Sequence, residues 1–218
     1  MGFKDIAFGA IGYVAFYRNE LSKALLFPFC LYTALDATEL LELQPLTTML
    51  VGFAGILVQT MLAITTHRII LLGPSSVSKW GLLSWSRREF SFALHLLVLG
   101  CLMILPVALA FFVPKMSWLI LIPIICWLFG RLSLIFPAIA IDKAVSFKYS
   151  WGLTKQHQLL MVLTVIVFPL ILYLPAYFIG FIPYTFLISS LLSTLATVFM
   201  VSALSVAYRA ISGEAYES

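Results

Sequence analysis

Arg131 has the most chemistry to account for. It is a permanent cation in an otherwise apolar run, preceded by Gly130 and flanked by Pro123 and Pro137. A guanidinium at the centre of a bilayer costs on the order of 3 kcal/mol on insertion scales, so acceptors or anions must compensate it. Each proline removes a backbone donor and leaves the carbonyl four residues earlier unpaired. A helix through this run is therefore expected to kink and to offer carbonyls near the guanidinium. Two readings stand side by side. In one, Arg131 meets an anion or a lipid phosphate from the cytoplasmic leaflet. In the other it snorkels and holds neighbouring helices together through their carbonyls and hydroxyls.

His67, Arg68, Arg87, Arg88 and Lys155 fall at the ends of apolar runs and are expected to touch lipid head groups, as is His157. His95 is expected to be a packing residue, because no acid lies in an inner-half span to complete a proton relay. No histidine pair has the HExxH spacing of a zinc protease, and no GxSxG supplies a serine nucleophile. Ser190, Thr194 and Thr197 share one helical face. They are assigned to close helix packing, with small hydroxyls bonding across the contact. Cys30, Cys101 and Cys126 are an odd number without CxxC spacing and read as small apolar packing residues. Glu89 and Asp142 are expected to pair locally, Glu89 with a cap at Ser86 and Asp142 with Lys143 or Arg131. This inventory leads to no catalytic residue, metal or cofactor, and the chain is read as non-enzymatic.

The elements that must position these residues follow from composition. The chain has 218 residues, 62% hydrophobic and 10% charged, with a mean hydropathy of +1.08. Soluble domains are only about 45–50% apolar. The expected class is an all-α polytopic membrane protein forming a single integral membrane domain over 1–218. A membrane helix needs about 20 apolar residues, and six spans are expected near 21–37, 46–66, 90–112, 117–139, 159–178 and 185–208. The first is the weakest, because it is short, contains Pro28 and runs into Asp36, Glu39 and Glu42. Eleven of the thirteen Lys and Arg residues fall on alternate connections on one side; Lys115, in the 113–115 turn, and Arg131 are the exceptions. Basic residues are retained in the cytoplasm, so both termini are expected there. Trp80, Trp85 and Trp151 fit an inner aromatic belt, and Trp118, Tyr173, Tyr177 and Tyr184 an outer one. The sequence pI of about 9.0 reflects the inner collar of bases, which suits anionic phospholipids of the cytoplasmic leaflet. Nothing supports nucleic-acid binding.

Each cytoplasmic segment ends in an aromatic-rich stretch, a capping candidate and then a span. The candidates are Asn19, Ser86 and Thr154, and Ser86 with Glu89 has the capping-box pattern. This predicts short interfacial amphipathic helices, with Phe3, Phe8 and Phe16 at head-group depth. It also predicts a threefold repeat of interfacial helix and hairpin near 1–73, 74–140 and 141–218.

The run from Arg131 to Asp142, then Ala144 to Thr154, and the segment His67 to Gly73, resemble bacterial six-helix inner-membrane proteins similar to the membrane domain of glycerophosphoryl diester phosphodiesterases. The resemblance covers about half the chain. It implies an inner-membrane protein linked to phospholipids, without phosphodiesterase activity, since the hydrolase of that family is a separate soluble barrel. Arg131, Pro137, Asp142, Trp151 and Thr154 match its pattern as structural landmarks. The functional expectation is a component that binds or organises lipid, or an accessory subunit of a larger membrane complex. The alternative is a small transporter or channel with a kinked fourth span around Arg131.

Overall fold

A computed structural model describes residues 2–40, 44–78, 85–110, 118–182 and 185–213. Every regular element among them is helical: α1 (Phe3–Phe16), α2 (Arg18–Asp36), α3 (Pro45–Leu72), α4 (Arg87–Ala110), α5 (Trp118–Leu132), α6 (Ile135–Ala140), α7 (Phe147–Leu153), α8 (Gln158–Val162), α9 (Phe168–Gly180) and α10 (Phe186–Ser212). Lys79, Trp80, the 113–115 turn and Tyr184 lie outside the described residues. Among the described residues, four helical stretches are long and apolar enough to cross a membrane: Pro45–Leu72, Leu121–Ala140, Gln158–Gly180 and Phe186–Ser212.

The long helix α10 packs against α1, α2, α3 and α9. At about 1.5 Å per residue, the 28 residues of α3 exceed the roughly 30 Å of a hydrocarbon core. One end of the bundle, where the bases gather, is therefore packed by extra elements. Here α1 lays Ile6 and Ala10 into the core, and Gly9 comes so close to Val206 that a Cβ would sit 3.2 Å from its side chain. The other side of α1 leaves Phe8, Ile11 and Phe16 exposed. Arg209 ties the corner: Nη2 donates to Ile70 O at 3.0 Å and Nη1 to Tyr13 Oη at 2.5 Å, so a cation caps the carbonyl end of α3. At the opposite end Leu46, Met49, Phe53, Phe178, Phe181 and Leu187 are exposed.

Prolines shape the middle of the bundle. Pro137 cannot donate to the carbonyl four residues back, and the chain is interrupted between α5 and α6, where Phe136 N donates to Ser133 O at 3.2 Å. A π-helical turn, Leu163–Val167, leads into Pro169, a usual way to absorb a displaced ladder bond.

Three sequence expectations are corrected. Asn19 is no cap: α2 begins at Arg18 after Tyr17, and no side chain caps it. Thr154 is no N-cap either, because its hydroxyl turns inward to carbonyls of Ser150 and Arg131 at 2.8 and 3.1 Å. Only Ser86 plays that part, its amide donating to Glu89 Oε2 at 2.9 Å. Cys30 and Cys101 face outward rather than packing inside.

Candidate anion and lipid head-group site

Arg131 sits in the last turn of α5, one residue before the helix ends at Leu132. The final carbonyls of a helix have no internal donors, and the Arg131 carbonyl accepts the hydroxyls of Ser150 (2.8 Å) and Thr154 (3.1 Å). In return, its Nη2 donates to Trp151 O at 2.7 Å, placing a cation at the negative end of α7. The exchange clasps α7 against α5. Gly130 makes room for the next helix: a Cβ there would stand 3.2 Å from Val162 N of α8.

Two indole rings hold the guanidinium. Its Cζ lies 4.3 Å from the Trp151 ring centroid and 5.8 Å from that of Trp127. The rings meet edge to face at 5.2 Å, and Trp127 Nε1 donates to Gln158 Oε1 at 2.9 Å. Arg131 is only 3% exposed, yet its Nε and Nη1 find no acceptor among the described residues. A buried, unmet charged donor is costly. Lys155 and Gln158 are exposed, and so in part are Trp127 and Trp151.

Arg131 falls within the apolar stretch Leu121–Ala140, and α7 and Thr154–Gln156 pack against α5 beside it.

Arg68 and Arg88 are engaged by carboxylates and carbonyls of the protein. Arg68 Nη1 binds Asp142 Oδ2 at 2.7 Å and Ala140 O at 2.9 Å, and its Nε binds Ser76 O at 3.1 Å. Arg88 Nη1 binds Asp142 Oδ1 at 3.0 Å, while Nη2 and Nε grip Glu89 Oε1 at 2.6 and 2.8 Å. Glu89 is completely buried, and its Oε2 takes the Ser86 hydroxyl. Burial pushes the Asp142 carboxyl up, but the hydrogen bond from Arg68 and the charges of Arg88 and Arg68 outweigh this and hold it below the usual carboxylate range. Asp142 also adopts the left-handed conformation, φ 65°, which aspartate tolerates better than most residues. The expected head-group role of Arg68 and Arg88 gives way to an internal ion network, and Asp142 pairs with them rather than with Arg131.

His67 is likewise not at the surface. It is buried, its Nδ1 2.7 Å from Ser205 Oγ and its ring beside Phe92. Arg87, Lys155 and His157 are exposed. His95 bonds Ser91 O at 2.8 Å within its own helix. Ser190, Thr194 and Thr197 are all buried on α10. Ser190 donates to the Asp36 carboxylate of α2, and Thr197 lies 2.6 Å from Tyr173 Oη of α9. The Trp127 contribution was not among the sequence candidates; its position four residues before Arg131 is the signal that places both on one helical face. Among the described residues no three His, Cys, Asp or Glu side chains gather to hold a metal.

No family model matches this chain, and neither does any curated protein or solved structure.

Proposed function

We propose that this chain is a non-enzymatic, multi-pass protein of the bacterial inner membrane that binds anionic phospholipid at the cytoplasmic leaflet. The observation that carries this reading is the Arg131 guanidinium, buried between Trp127 and Trp151 with Nε and Nη1 unmet by the protein. Charge-assisted bonds from such donors to a phosphate oxygen are the strong kind. The exposed Lys155 and Arg87 add long-range attraction to an anionic surface. In this reading α2 and α4 complete a set of six spans. The bases then mark the cytoplasmic end, where both termini lie. The order of a short helix and two long spans in 1–73 and again in 141–218 supports a repeated unit.

The test is mass spectrometry of lipids retained by the protein extracted in native nanodiscs. Wild type should retain phosphatidylglycerol or cardiolipin above their share of the membrane, and Arg131→Leu should retain them only in proportion to it. Equal enrichment in a folded Arg131→Leu protein would end the proposal. A stoichiometric protein without enriched lipid would instead make the chain an accessory subunit.

A further inference from the structure

A cavity of about 160 Å³ lies inside the bundle, among α3, α4, α5, α6, the π-helical turn and α10, walled by residues including His67, Phe92, Phe129, Thr164 and Val201. Four polar side-chain atoms on its walls are engaged within the protein. Ser133 Oγ donates to Gly130 O (3.0 Å), Thr164 to Leu160 O (2.8 Å) and Thr197 to Ser193 O (3.0 Å). His67 Nδ1 is taken by Ser205. A buried water needs two to four polar partners, whereas an apolar cavity of about 150 Å³ stays dry and accepts hydrocarbon. The chemistry of this space therefore favours a hydrocarbon occupant.

Gln59 and Leu96 line this cavity and also a groove between α3 and α4 on the outer face of the bundle. Gly52, Gly55 and Gly100 line that groove. Small residues in membrane helices usually mark close helix contact, but a Cβ at any of these three would meet nothing within 4 Å. Here the missing side chains widen a channel instead of closing a contact. The exposed Leu97 and Ile104 belong to the same groove, so it faces the lipid-exposed side.

We propose that this cavity is an acyl-chain site. One hydrocarbon chain of a bilayer phospholipid lies in the groove between α3 and α4, and its end passes Gln59 and Leu96 into the cavity. The site is separate from Arg131. Phe129 and Ser133 line the cavity, while Arg131, two positions from each, turns toward Trp151 of α7.

The test uses nanodiscs of phosphatidylethanolamine and phosphatidylglycerol doped with a phosphatidylethanolamine bearing a diazirine at the end of one acyl chain. After photolysis, wild type should carry crosslinks at Phe129, Met200 or Val201. Gly100→Leu, at a position with open space, should abolish them while crosslinks at the exposed Leu170 and Ile171 persist. Ala63→Phe, which fills the cavity itself, should do the same with the groove left open. Absence of the cavity crosslinks in folded wild type overturns the proposal, whatever the variants do. So does their persistence in both variants. Loss on Gly100→Leu with lipid enrichment at Arg131 intact confirms that the two sites are independent.

Discussion

Arg68 and Arg88 belong to one arginine cluster of this bundle and Arg131 to another, and both clusters lie near the end where bases gather. The first is answered by carboxylates: Asp142 accepts from both guanidinia, and Glu89, fully buried, is gripped by Arg88. The second is answered by indole faces and one carbonyl, with two nitrogens left over. A cation whose hydrogen-bonding capacity is met within the chain does structural work, here joining the end of α3, the start of α4 and the turn after α6. A cation that is buried and only partly met keeps hydrogen-bonding capacity to spare, and the proposed anion contact rests on that difference. Exposure alone would not have separated them, because all three arginines are largely shielded.

The largest effect in this comparison should come from Arg88→Ala. It strips a wholly buried Glu89 of its cation, and breaking such a pair costs about 3–5 kcal/mol. The expected outcome is a sharp loss of folded yield and thermal stability, partly restored by adding Glu89→Gln. Next comes Trp151→Ala, which removes the nearer face of the Arg131 clamp. A desolvated cation–π contact is worth about 2 kcal/mol, and thermal unfolding in detergent should fall by that order, with Trp151→Phe falling less. Arg131→Leu should cost less than Arg88→Ala in zwitterionic detergent, because the loss of the indole contacts and of the bond to Trp151 O is offset by removing two unmet donors. A destabilisation as large as that of Arg88→Ala would assign Arg131 to the structural class.

The smallest effect is the pH dependence carried by Asp142. Its carboxyl is held below the ordinary range, so its contribution is complete above the unfolded value near 3.9 and is lost as pH falls through the lower folded value. With its side chain 55% exposed, solvent screening keeps this below about 1 kcal/mol. Asp142→Asn, which keeps the left-handed backbone comfortable, should therefore differ from wild type in thermal unfolding at pH 7, and the gap should shrink as the pH is taken below about 3.9. A gap that stays constant with pH would remove the ion network from the explanation.

The helical class and membrane-length apolar stretches were legible in the sequence because hydropathy is a local quantity. Pro137 also announced its interruption, since a missing amide acts on the carbonyl four residues away. What depends on distant partners was not legible. Asp142 meets Arg68 and Arg88 across 74 and 54 residues, so nearest-neighbour reasoning chose Lys143 or Arg131 instead. Thr154 looked like a cap because it precedes an apolar run, but the open carbonyl of Arg131 competed for its hydroxyl and won. His67 looked interfacial from its place near the end of a run. The length of α3 beyond a bilayer and the packing of α4 and α10 around it put it inside.

The most direct measurement is a rotational-echo distance between arginine side-chain ¹⁵N and lipid ³¹P in phosphatidylglycerol bilayers, comparing wild type with Arg131→Leu. Arg18 and Arg87 are also exposed, so the difference between the two samples carries the result. A dephasing component at phosphate contact distance that vanishes in Arg131→Leu is the expected outcome. Identical dephasing in both would show that no phosphate reaches the guanidinium between Trp127 and Trp151.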